Sequence, residues 1–271
     1  MTIRFRATCA LSALLFTGAP AASSTPPAYE AHVERREGIH VTRAHILYDR
    51  GKFRETMFPG SSQNRSAAGH VLLYDGKMVW EYRPGAQSAT PGLSAIMHRL
   101  VVLTQQLGVK TVVKRYQVPA SLVHHYAGAR VVAPGRPRPV NGLRTRADIP
   151  GLPEKPAGSE QIAGYPCQKY EILPRPGSQQ PTIRAWIEPR TGLVLQWEQV
   201  TTPLPDSPVP PMRMHYVVRK LRLLRSLPPE TFHLPPGTTA RLPEIFRDAP
   251  LPPGVKRVPL TGKAAKTGIL F

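Results

Sequence analysis

The chain has 271 residues, 36 Lys and Arg against 17 Asp and Glu, two cysteines and 32 prolines. That length allows one large or two small domains with a real core. Proline at about 12%, against a usual value of roughly 5%, excludes a mostly helical protein, because proline breaks helix interiors. Two cysteines exclude a disulfide scaffold and a four-cysteine zinc module, and no repeat of solenoid length is present.

Taken in chain order, the first element is a targeting segment. Arg4 and Arg6 precede an apolar, small-residue run from Ala7 to Ala19, and Ala19-Pro20-Ala21 offers an A-x-A cleavage site. These are the three parts of a secretory signal peptide, and the run is too short to span a bilayer comfortably. Residues 1–21 are therefore expected to be a signal peptide cleaved near Ala21, and Cys9 to be discarded with it. The mature chain is expected to be periplasmic, with a linker over 22–37. Export also changes the meaning of the net charge of +19. Nucleic acid is not an expected partner, whereas an anionic membrane surface is. The excess of 26 arginines over 10 lysines is equally compatible with coding bias.

From Gly38 short β-prone runs alternate with turn signals, the pattern of an antiparallel sheet. Val41 to Tyr48 pairs with Gly51 to Phe58, and Val71 to Tyr74 pairs with Lys77 to Tyr82 through the Asp75-Gly76 hairpin turn. Met78, Trp80 and Tyr82 fall on one face of that arm by the period-two rule. Leu93, Ile96, Met97, Leu100, Val101 and Leu107 then follow the spacing of an amphipathic helix, with Pro91 near its start and Gly108 at its end. Such a stripe is expected to lie across the concave face of the sheet. Thr111 to Val118 reads as a strand, Ala120 to Tyr126 as a short helical turn, and 131–156, rich in Pro, Gly and Arg, as a long loop.

Strand patterns return at Gln168 to Leu173, Thr182 to Glu188 and Leu193 to Val200, with Pro189 to Gly192 as a tight turn. Tyr170 and Ile172, then Ile183, Ala185 and Ile187, then Leu193, Leu195 and Trp197 give apolar faces. Met212, Met214, Tyr216 and Val218 give a fourth. Leu227 to Leu234 closes the sheet pattern, and residues 241–271 read as a Pro-rich basic tail.

No catalytic constellation emerges. The nine histidines show no H-E-x-x-H spacing, His124 and His125 point in different directions, and His45 and His70 stand apart in strand-like runs, so no metal site is assigned. Phosphate-binding, dinucleotide and nucleophile-elbow motifs are missing. Cys167 has no neighbouring histidine to activate it and reads as a buried structural thiol. Neither enzymatic activity nor a cofactor is expected.

Three stretches carry a resemblance. Gly51-Lys52-Phe53-Arg54 with Leu73 to Tyr82, Ile162 to Tyr170 with Ala185 to Leu195, and Leu227 to Phe232 with Leu234-Pro235 are similar, in order and spacing, to motifs of one superfamily. It comprises the LolA/LolB-type periplasmic lipoprotein carriers and the N-terminal domain of the MucB/RseB regulators. The resemblance spans roughly residues 35 to 240, and the domain itself is expected over 38–240. It implies a mainly β (α+β) fold, a curved antiparallel half-barrel closed by a helical lid, with an apolar cavity for the acyl chains of lipids or lipoproteins. On that reading the cavity is lined by Met78, Trp80, Tyr82, Ile96, Met97, Leu100, Tyr170, Ile172, Ile183, Ile187, Leu193, Leu195, Trp197, Met214 and Tyr216. Two functions stay open: an acyl-chain carrier, and a stress-sensing module that binds a membrane-anchored protein through a sheet edge or the 131–156 loop. The segment from Gly108 to Glu160 is longer and richer in Pro and Arg than expected of the carriers. Arg54 sits on a strand comparable to one that bears a cargo-release arginine in them.

Overall fold

The computed structural model describes residues 26–59, 69–116, 118, 123, 143–149, 151–174, 181–201, 212–249 and 251–259. The expected signal peptide, the expected turn at 120–126 (apart from position 123) and half of the expected 131–156 loop lie outside them. No described helix is long and apolar enough to cross a membrane.

The protein is mainly β. The strands are β1 (Ala28–Glu37), β2 (His40–Asp49), β3 (Lys52–Pro59), β4 (His70–Tyr74), β5 (Val79–Tyr82), β6 (Ser88–Pro91), β7 (Gly158–Ile162), β8 (Tyr165–Ile172), β9 (Thr182–Ile187), β10 (Val194–Thr201), β11 (Met212–Leu224), β12 (Thr239–Leu242) and β13 (Lys256–Pro259). They form one open sheet in the order β13-β12-β6-β5-β4-β3-β2-β1-β11-β10-β9-β8-β7. Every pairing from β6 to β7 along that order is antiparallel, while β12 lies parallel to both β6 and β13. The helices α1 (Leu93–Leu107) and α2 (Val109–Tyr116) follow β6.

Three expectations are corrected. Residues 28–37 are not linker but the central strand β1, paired along its length with β2 and β11. Tyr29, Ala31 and Val33 are buried, and they alternate with Glu30, His32 and Glu34, the period-two signature of a half-buried strand. Thr111 to Tyr116 is helix rather than strand. Its β-branched residues favour a strand locally, but Val112 and Tyr116, one helical turn apart, both enter the core, and that burial outweighs the propensity. Gly108, at φ 78°, ends α1 and donates its N–H to the Thr104 carbonyl, which lets α2 start at once. The segment 241–259 is not a featureless tail, for Leu242, Ile245, Phe246 and Ala249 are buried and β13 adds an edge strand.

Alternation divides the core between two sides of the sheet. Val71, Leu73, Trp80 and Tyr82 pack with Ile96, Leu100, Val112, Tyr116, Phe232 and Phe246, so both helices and the C-terminal segment cover that side of β4–β6. Leu72, Tyr74 and Val79 point the other way and join Tyr29, Ile46, Tyr48, Phe53, Leu193 and Leu195. A third cluster, Tyr170, Ala185, Ile187, Val194 and Trp197, is closed by Ile149 and Leu152. A bulge separates the last two. Val194 pairs with Ile187 and Gln196 with Trp186, leaving Leu195 as an extra residue, so Leu195 and Trp197 end on opposite faces.

Candidate functional site

The hairpin at Asp75 has a structural task. Asp75 Oδ1 accepts the N–H groups of Lys77 and Met78, at 2.7 and 2.9 Å, while Oδ2 accepts the indole N–H of Trp80 at 3.1 Å. Gly76, at φ 99°, supplies the turn conformation. Trp80 is thereby fixed as a core residue with no exposed surface. The opening beside it, lined by Met78, Trp80, Phe232, Leu234 and Pro252, encloses only about 170 Å³.

A larger cavity of about 370 Å³ lies on the β1–β2–β11 side of the sheet. Val33, Met57, Leu143, Trp197, Met214 and Tyr216 supply its apolar wall, and Arg35, Arg36, Arg144, His40 and His215 supply its polar rim with Glu37. The described end of the long loop closes one side. There the Leu143 N–H donates to the Tyr29 hydroxyl at 2.9 Å, Thr145 bridges Leu193, and Thr145 with Asp148 forms a capping box around residues 146–148. Arg144 stacks its guanidinium over the Trp197 ring at 4.5 Å, and Arg146 does the same over Tyr170.

Arginines outnumber carboxylates on the rim of this cavity, with Arg35, Arg36 and Arg144 against Glu37. Burial pushes the Tyr216 hydroxyl well above its ordinary value despite the Arg144 and Arg35 guanidiniums nearby, so it stays neutral and donates to the Val194 carbonyl at 2.7 Å. Burial also lowers His215, helped by Arg213, Arg219 and Arg36 against Glu198, and favours its neutral form. Arg35 joins the cavity wall to a carboxylate beneath it, because it ion-pairs with Glu55, which has no exposed surface. Burial raises the Glu55 carboxyl, and the Arg35 charge opposes that rise.

The fifteen residues expected from sequence do not share one cavity. Met78, Trp80, Tyr82, Ile96 and Leu100 gather around the helices, with Met97 half-buried on α1. Leu193 and Leu195 belong to the central core. Tyr170, Ile172, Ile183, Ile187, Trp197, Met214 and Tyr216 gather around the third cluster. Of all fifteen, only Trp197, Met214 and Tyr216 line the larger cavity. Val33, Arg35, Met57, Leu143 and Arg144 were missed. For Val33 the alternation within residues 28–37 was a usable signal, whereas Leu143 and Arg144 reach the site only through the path of the loop. Arg54 lies on β3 opposite Leu47 and Leu73, outside both cavities.

No protein-family model and no curated protein matches the chain. Several solved structures are distantly similar to it. MucB is 12% identical with a TM-score of 0.38, and the match covers 77% of this chain and 57% of that one. An uncharacterised conserved protein from Thermus thermophilus is 11% identical with a TM-score of 0.40, covering 87% and 91%. The outer membrane lipoprotein-sorting protein domain from Vibrio parahaemolyticus is 11% identical with a TM-score of 0.27, covering 76% and 89%. The chain spans little more than half the length of MucB.

Proposed function

We propose that this is a periplasmic, non-enzymatic binding protein that holds an acyl chain with an anionic head. The observation that carries this reading is the 370 Å³ cavity, in which Val33, Met57, Met214 and Trp197 meet the guanidiniums of Arg35 and Arg144. Its volume falls within the range of about 300–1,000 Å³ usual for small-ligand sites. Each methylene buried there contributes about 0.8 kcal/mol, and a guanidinium pairs well with a carboxylate or phosphate head. On this reading the acyl chain lies against Met57 and Met214 rather than beneath α1, where Trp80 and its neighbours already fill the core.

The test is native mass spectrometry of the protein purified from a periplasm, followed by lipid extraction and uptake of a fluorescent fatty acid. Co-purifying acyl species are expected. Met214→Gln and Arg144→Ala are expected to weaken uptake several-fold, with the Arg144 effect diminishing at high salt as screening shortens. An empty protein that also refuses the fatty acid overturns the reading.

A second reading rests on the open sheet edge. Among the described residues strand β7 pairs only with β8, and Gly158, Ser159, Glu160 and Gln161 are exposed. An unpaired edge can add an extended segment of another chain by backbone hydrogen bonding, here a membrane-anchored protein. MucB has been solved in complex with MucA(peri). Replacing Ser159 or Gln161 with proline should abolish capture of such a partner while leaving fatty-acid uptake intact.

A further inference from the structure

We propose that Glu30, His32 and His45 form a binding site for a borderline divalent cation of the Zn²⁺ class on the face of β1 and β2 opposite the core. Nothing in the spacing of these residues suggests a site, because thirteen positions separate the histidines. Strand pairing brings them together, for His32 and His45 are directly opposite in the β1–β2 register, and Glu30 lies diagonally across from His45. One ligand atom from each of the three falls within 4.8 Å of the others. The imidazoles are stacked with centroids 4.7 Å apart, and His45 Nε2 lies 2.9 Å from Glu30 Oε1.

Tetrahedral zinc bonds of about 2.0–2.1 Å separate ligand atoms by about 3.3 Å. The site therefore needs only small side-chain rotations, on a scaffold held by buried Tyr29, Ala31, Ile46 and Tyr48 on the reverse face. Arg222 pairs with Glu30 Oε2 at 2.6 Å, which leaves Oε1 turned towards His45 and makes the carboxylate a one-oxygen ligand. Two imidazoles and a single carboxylate oxygen select zinc or copper over magnesium and calcium, which require more oxygen ligands. Three protein ligands leave a fourth position open. Glu30 and His32 line a cleft of about 450 Å³ together with Arg219, Lys220 and Arg222. These cations weaken the hold on a divalent ion, and they favour an anionic group at its open position.

The test is calorimetric titration of the chelator-treated full chain with Zn²⁺, alongside Co²⁺ absorption as a report on coordination. One ion per chain is expected, with a zinc-dependent rise in Tm. Both signals should vanish in His32→Ala and His45→Ala, and affinity should fall roughly tenfold or more in Glu30→Gln. The side chain of His32 is exposed, so His32→Gln repeats the test without disturbing the core. The proposal fails if the wild-type chain shows no saturable binding below about 100 μM, a free energy of roughly 5.5 kcal/mol. It also fails if His32→Ala/His45→Ala keeps wild-type stoichiometry and affinity, which would assign the ion to other histidines.

Discussion

Arg35 on β1 reaches past strand β2 to pair with Glu55 on β3, a carboxylate with no exposed surface. Its Oε2 has no hydrogen-bond partner among the described residues, so the guanidinium is the main compensation for a buried charge. Arg35→Ala is expected to cost about 3–5 kcal/mol near neutral pH, the usual effect of stranding one member of a buried pair. Burial raises the Glu55 carboxyl in the folded state. Protonation therefore relieves the stranded charge, and the cost should shrink as pH falls through that raised value. Urea unfolding of both chains at neutral and mildly acid pH checks the sign. Arg35→Met with Glu55→Leu is expected to recover most of the loss.

Acid should act oppositely at Glu198. Burial raises its carboxyl, but hydrogen bonds from Arg184 and Arg213 outweigh that and hold it below the ordinary range. A carboxylate depressed in the folded state contributes stability above its unfolded pKa, and this is lost as pH falls through the folded value. Both arginines are more than a third exposed, so screening makes the effect modest. Tm measured from pH 7 downward should fall less steeply for Glu198→Gln than for the wild-type chain.

Gly92, which precedes α1, has no room for a methyl group. A Cβ there would lie 2.9 Å from Val79 Cγ1 and 3.0 Å from Glu81 Oε1. Gly92→Ala should destabilise by about 1–3 kcal/mol, as overpacking does. The stiff Val79 side chain is the principal obstacle, so the same change made with Val79→Ala should cost less. A double-mutant cycle reads that coupling.

Cys167 should be unreactive while the protein is folded. It is 2% exposed, and burial pushes its thiol up to about 11, with a backbone hydrogen bond at Ile162 opposing. At pH 8 little thiolate is present, and thiolate is the reacting form. Iodoacetamide should label it slowly in buffer and rapidly in urea. Fast labelling of the native chain would contradict a structural role.

Legibility followed the range of the interaction. Asp75-Gly76 and Pro189 to Gly192 act within four residues, and both turns form where sequence reading put them. The second is held by Glu188, whose carboxylate accepts the N–H groups of Arg190 and Thr191. The helix at Leu93–Leu107 was equally readable, because its apolar stripe and Gly108 stop are local. Residues 28–37 read as linker because charged residues mask the alternation of Tyr29, Ala31 and Val33, and α2 reads as a strand because its β-branched residues conceal a two-residue helical face.

By itself the sequence determined that this chain is mainly antiparallel β with one long amphipathic helix, since those features depend on periodicity and turn chemistry. Only the tertiary structure decided which apolar faces meet. One bulged residue, Leu195, parts it from Trp197. The return of β11 to pair with β1 brings Val33 and Met214 to one cavity, and the β1–β2 register sets His32 beside His45. A strand's pattern states that it has a buried face, but the partner on that face is chosen by pairings between distant segments, whose register no local period encodes.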